Sequence, residues 1–142
     1  MRSERLLRGI LALGLSLVAA MSAAADGVVI VVRRDSPIGS LTRDEAYNLF
    51  VLDRRGTLAP FDLPETELAR QALYQELAGR NVTMMRALRA RLVFSGQGRP
   101  PQQVELEEML QRLQADRNAI GYLPAGAVPD GLRILLTLGA TR

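Results

Sequence analysis

The sequence predicts a three-layer α/β domain with a mixed sheet, on three observations. Val28 to Val32, Ala119 to Leu123 and Leu132 to Leu138 are short, nearly continuous apolar runs, the pattern of strands covered on both faces. Between them lie longer segments whose apolar residues recur every three or four positions, as on a helix that buries one side. Pro and Gly separate these segments at regular intervals, so no element is long.

The elements follow in order. The β-branched run Val28 to Val32 reads as a buried strand, and Pro37 with Gly39 ends it. Thr42 stands three residues before Glu45, the spacing at which each side chain satisfies the other's backbone N–H at a helix start, and a helix is expected through Phe50. Val51 to Gly56 is a charged turn. Thr57 to Leu63 suits a second strand, and Pro60 within it predicts a sheet edge or a strand end. Pro64 to Ala78 is helical, with Leu68, Ala72, Leu73 and Leu77 on its apolar side and Gly79 as its stop. A further helix runs from Val82 to Val93 and carries Met85, Leu88 and Leu92. Ser95 to Pro101 is too rich in Gly and Pro to extend it. Glu105 to Ala115 places Leu106, Met109, Leu110 and Leu113 on one face, with acids at its start and Arg112 and Arg117 toward its end, as the helix dipole prefers. The two final strands complete the sheet.

The first 25 residues stand apart. Arg2, Arg5 and Arg8 make a basic start, Ile10 to Met21 is an apolar core, and Ala23-Ala24-Ala25 supplies the small residues of a cleavage site before Asp26. The uncharged run is shorter than the ~20 apolar residues of a spanning helix. A cleaved export signal over residues 1–25 is therefore expected, followed by one domain over residues 26–142 and a periplasmic location. The chain has no Cys, so no lipid is attached after cleavage. The leader holds three of the 18 basic and one of the 15 acidic residues, which leaves the remainder nearly neutral at 15 against 14. The basic balance of the whole chain is thus no nucleic-acid signature. Every basic residue is Arg.

Absent residue types narrow the chemistry. With neither Cys nor His there is no thiol nucleophile, imidazole base or ordinary zinc site, and no cofactor motif is present. No carboxylate pair or activated Ser stands at a persuasive spacing, so the chain reads as a binding protein and not an enzyme.

Two segments are candidates for binding. In the loop before the first helix, Ser36, Ser40 and Thr42 offer hydroxyl and backbone donors to an anion at a helix start; a cap and a turn account for the same residues. Arg80, Arg86, Arg89, Arg91 and Arg99 follow one another with no carboxylate between Glu76 and Glu105, and Arg86 and Arg89 share a helix face by spacing. They read either as a patch for an anionic partner or as a solvated face pairing with Glu105, Glu107 and Glu108. Arg99 stands out, in a Gly-rich loop free of packing duties.

The order of these motifs also carries a resemblance. An apolar strand, then Asp35-Ser36-Pro37-Ile38-Gly39-Ser40-Leu41-Thr42, then a helix ending Leu49-Phe50, resembles the second lobe of the phosphate-binding receptors of bacterial ABC transporters. Asn118-Ala119-Ile120-Gly121-Tyr122-Leu123 is similar to that family's Gly-Ala-Ile-Gly-Tyr strand. The likeness runs from about Val28 to Leu136. It implies one lobe of a type II periplasmic binding protein, a phosphate-like anion as ligand and a membrane permease as partner. It further implies a ligand site at Ser36, Ser40 and Thr42, helped by Arg70 or Arg99. The family's Arg-x-x-x-Ser-Gly-Thr-Arg segment is matched only at Arg70, with Glu67, Leu68 and Ala69 in place of Ser-Gly-Thr. In two-lobed receptors the solute is enclosed between lobes, so a single lobe implies an open cleft and weak binding. An accessory or interaction module of the cell envelope, with the lobe's fold and no ligand, is the other reading. Whether the strand ends at Val32 and Leu63 face a common cleft is the observation that bears most on an anion site, and a cleft closed by Glu65 and Glu67 would exclude one on electrostatic grounds.

Overall fold

The computed structural model describes residues 27–139, so the expected export signal lies outside the described residues. The elements are β1 (Val28–Arg33), α1 (Arg43–Phe50), β2 (Ala59–Asp62), α2 (Leu68–Ala78), α3 (Val82–Phe94), β3 (Gln102–Gln103), α4 (Leu106–Ala115), β4 (Ala119–Pro124) and β5 (Leu132–Leu138). They form a five-stranded sheet in the order β3-β2-β4-β1-β5. β2 runs parallel to β3 and β4, whereas β1 is antiparallel to both β4 and β5, so the sheet is mixed.

Both faces of the sheet are covered. Successive residues of a strand point to opposite sides. On β4, a Cβ on Gly121 would lie 2.9 Å from Met109 Sδ of α4, while the next residue, Tyr122, meets Phe50 of α1 edge to face with ring centroids 5.8 Å apart. Helices therefore pack on each side, giving three layers, and glycine at position 121 lets α4 approach closely. Val28 to Val32 are all buried in the centre. Burial of so many large aliphatic side chains, each worth about 1.5–3 kcal/mol, is the main stabilising term.

Local chemistry fixes the ends of the elements. Thr42 Oγ1 accepts from Glu45 N, and the Glu45 carboxylate accepts from Thr42 N, the reciprocal cap the spacing predicts. Gly79 closes α2 in the left-handed region at φ 61°. Helix α2 starts at Leu68 and not at Pro64, because Pro64 to Glu67 form a turn with Glu67 N bonded to Pro64 O, and no side chain caps it.

Three other expectations change. β2 is not an edge strand, but Pro60 precedes the two-residue ladder with β3 and so needs no N–H on that side. Gln102–Gln103 adds a short strand whose polar residues gave no apolar signal. β5 lies at the sheet edge, and only Leu132 and Leu138 of its seven residues are buried.

The turn after α1 holds an exposed-type residue in a buried place. Asp53 adopts a left-handed φ of 58°, is buried, and neither carboxylate oxygen accepts a hydrogen bond. Burial pushes its carboxyl above the ordinary carboxylate range, opposed by the Arg89 guanidinium 3.9 Å away. A raised folded-state pKa favours the protonated form, so this contribution to stability is present in acid and is lost as pH rises through the folded value. Asn keeps the shape and tolerates the left-handed backbone. Asp53→Asn is therefore expected to melt like the wild type near about pH 4 and above it near about pH 7, with thermal unfolding across that range as the measurement.

Candidate functional site

Strand direction decides which sequence motifs can meet. Pairing sets Val32 opposite Ile120, and Ile120 is level with Pro60. The chain thus leaves β1 at the end of the sheet where β2 and β4 begin, here called the lower end. Leu63 follows β2 at the opposite, upper end. Val32 and Leu63 do not face a common cleft.

The loop after β1 is largely occupied with itself. Ser36 Oγ accepts from Ile38 N, and the Arg133 guanidinium, reaching over from β5, donates to the carbonyls of Ser36, Ile38 and Gly39. Ser40 and Thr42 are exposed, and Thr42 is engaged in the helix cap. Helix α1 ends at the lower end, in the turn that feeds β2, so its start points back toward the upper end. There the Arg43 guanidinium donates to Glu76 O and lies 3.8 Å from the Glu76 carboxylate.

A groove of about 530 Å³ opens at the upper end beside Glu76. Its floor is backbone and small side chains, Gly27, Ala69, Ala72 and Gly139, with Pro124 at the finish of β4. Glu67 and Glu76 also line it, together with the 77 % exposed Leu68. The groove sits at the start of α2, where backbone N–H groups attract anions, but its charged side chains are carboxylates. At an effective dielectric constant of about 20, a carboxylate about 4 Å from an anion opposes it by about 4 kcal/mol, more than a helix terminus returns.

Arg70 is the one basic residue that matches the receptor motif, and it is turned inward. It is 7 % exposed, donates to Leu63 O at 2.8 Å, and pairs with Asp62 at 3.3 Å. Asp62 is the centre of a buried network that sequence reasoning missed. Tyr74 Oη donates to its carboxylate at 2.6 Å, Tyr122 Oη donates to the other oxygen, and Leu63 N donates at 3.0 Å. Arg89 of α3 donates to Tyr74 Oη at 2.6 Å and to Phe50 O at 3.0 Å, and lies 3.5 Å from Asp62. Both guanidinium groups stack on the Tyr74 ring, 5.4 Å from its centroid. Burial, with the Asp62 charge beside them, pushes the Tyr74 and Tyr122 phenols well above their ordinary range, so both remain donors. The available signal was a carboxylate at the end of a buried strand, with a Tyr on the apolar side of the next helix.

The arginine segment divides the same way. Arg86 pairs with Glu65, which holds the Glu65 carboxyl below its usual range, while Arg89 points into the core; shared spacing did not put them on one surface. Nor do they pair with Glu105, Glu107 or Glu108, since Glu108 bonds Arg112. Arg99 is exposed at the lower end, and its backbone carbonyl accepts from Arg55. No hydrogen bond among the described residues links Arg70 or Arg99 to Ser36, Ser40 or Thr42.

No family model and no curated protein matches the sequence. Solved structures do match the fold. An ABC-type phosphate transport receptor from Vibrio cholerae superposes with a TM-score of 0.56 at 17% identity, covering 80% of this chain and 47% of the receptor. A phosphate ABC transporter substrate-binding protein from Clostridium perfringens, solved with bound phosphate, gives 0.59 at 15% identity over 80% of this chain and 45% of its own. The chain therefore has the fold of one lobe of these proteins and spans less than half their length.

Removing the hub carboxylate strands two guanidinium groups in the core. Asp62→Ala is expected to lower stability by about 3–5 kcal/mol, and Tyr122→Phe by about 1–3 kcal/mol, as read from urea unfolding midpoints.

Proposed function

We propose that the protein is an exported, non-catalytic solute-binding-type lobe, allied to the phosphate receptors, that meets a small anion weakly on an open face. The observation that carries this reading is the superposition on one lobe of two phosphate-receptor structures over 80% of the chain. Such a lobe belongs in the periplasm beside a membrane permease, and the apolar leader with its Ala23-Ala24-Ala25 end supports export. The anion contacts would come from Ser40 and Thr42 at the start of α1 and, separately, from Arg99. Ser36 contributes only if Arg133 releases the loop carbonyls it now holds. Arg70 would contribute through its charge and not through direct contact.

A second reading is favoured by one observation. The groove at the start of α2 is lined by Glu67 and Glu76, and Arg70 is bound by Asp62 and Leu63 O. That chemistry suits an envelope accessory module that has the fold and no anion site.

Isothermal titration of residues 26–142 with phosphate and with sulfate separates the two. The solute-binding reading expects millimolar affinity that weakens in Arg99→Glu. Silence at millimolar ligand overturns it in favour of the accessory module.

A further inference from the structure

The two ends of the sheet carry opposite charge, and the lower end is a line of arginines. Arg33 finishes β1 and Arg34 follows it, Arg54 and Arg55 precede β2, Arg99 precedes β3, Arg117 precedes β4, and Arg133 lies at the start of β5. Every strand in the sheet thus brings at least one guanidinium to this end. With strands about 4.8 Å apart, the five positions span roughly 20 Å. Arg34, Arg54, Arg99 and Arg117 are exposed, and none is within ion-pair distance of a described carboxylate. The acids at this end are Asp35, Asp53, Asp116 and Asp130. Asp35 is taken by Arg33, Asp53 is buried, and Asp116 accepts from Asn118 N. Seven arginines against four aspartates leave the end with an excess of three positive charges.

The upper end is the reverse. Glu65 and Glu67 stand at the start of α2, and Glu105, Glu107 and Glu108 at the start of α4, whose first residues follow β3 and whose last turn reaches Arg33 through Gln114 O. Arg86 offsets Glu65 and Arg43 offsets Glu76, and the remaining acids still give the nearly neutral domain a basic and an acidic end, so a negative surface would orient it lower end first.

An apolar element stands beside the rim. Helix α3 buries only Met85 among its 13 residues. Phe94, its last residue, is 90 % exposed and Val93 is 52 % exposed. The chain goes directly from them through Gly96 and Gly98 to Arg99, whose carbonyl is held by Arg55 of the rim. A solvent-exposed Phe next to a row of arginines is the composition of surfaces that sit at the headgroup level of a membrane.

We propose that the lower end of the sheet is a docking surface for an anionic lipid bilayer, with Arg34, Arg54, Arg99 and Arg117 on headgroup phosphates and Phe94 inserted at the acyl boundary. Guanidinium groups fit phosphate oxygens in paired hydrogen bonds. An extended line of charge with a projecting ring suits a plane better than a pocketed protein partner, and the α2 groove is at the other end of the molecule. No helix among the described residues is long and apolar enough to cross a membrane. The surface is distinct from the α2 groove but shares Arg99 with the anion contacts proposed above, so the variants that test it leave Arg99 in place.

Vesicle co-sedimentation of residues 26–142 is the test, using phosphatidylcholine alone and an equal mixture of phosphatidylcholine and phosphatidylglycerol. Binding is expected only to the mixed vesicles and should fall as salt is raised. Each arginine contributes about fivefold, so Arg34→Glu/Arg54→Glu should bind at least about twentyfold more weakly, and Phe94→Ser roughly tenfold more weakly, with wild-type melting curves. Failure of the wild type to bind mixed vesicles, equal binding to both compositions, or unchanged binding by both variants overturns the proposal. So does release by inorganic phosphate beyond that of chloride at equal ionic strength, which would assign the arginines to a free anion. Retention by an acidic protein without vesicle binding would assign them to a protein partner.

Discussion

The Asp62 carboxylate is the charge around which the rest of the molecule is arranged. It lies at the finish of β2 with almost no exposure, and a lone ion there would cost several kcal/mol. Its neighbours remove that penalty, and they arrive from three elements: Tyr122 from β4, Tyr74 and Arg70 from α2, Arg89 from α3. The network therefore fixes how two helices sit on the sheet. Helix α3 depends on it most, because Met85 is its one buried residue and Leu88 packs only partly buried against the core. Its attachment is made by Arg89 inside and Arg86 on Glu65 outside.

That arrangement has a functional consequence. Arg70, a candidate ligand residue by sequence, serves as a strut between α2 and the end of β2. The groove at the start of α2 has carboxylates where an anion site would place hydroxyls. Accessible basic side chains stand at the opposite end of the sheet, after β1 and before β2, β3 and β4. One lobe thus has an acidic groove end and a basic rim end, a distribution suited to orientation at a surface.

Much of the fold was legible because it rests on local rules. The capping box at Thr42 and Glu45, the glycine stop at Gly79 and the buried runs of β1 and β4 each depend on neighbours a few residues away. Reading failed where partners are distant. Gln102–Gln103 becomes a strand only because Phe61 and Asp62 lie alongside, and β5 is apolar yet half exposed because nothing pairs its outer edge. Arg86 and Arg89, three residues apart, differ in role because one finds Glu65 and the other Tyr74.

The amino-acid sequence by itself determined the α/β class, the order of nearly all the elements, the helix start at Thr42 and the absence of thiol and imidazole chemistry, since these follow from residue type and short-range spacing. Only the tertiary structure decided the rest. Antiparallel pairing of β1 with β4 sends the Ser36 loop and Leu63 to opposite ends of the sheet, which no spacing along the chain could show. The same packing turned Arg70 from a candidate ligand residue into the partner of a buried carboxylate, and gathered arginines from four separate connections and the start of β5 onto one rim.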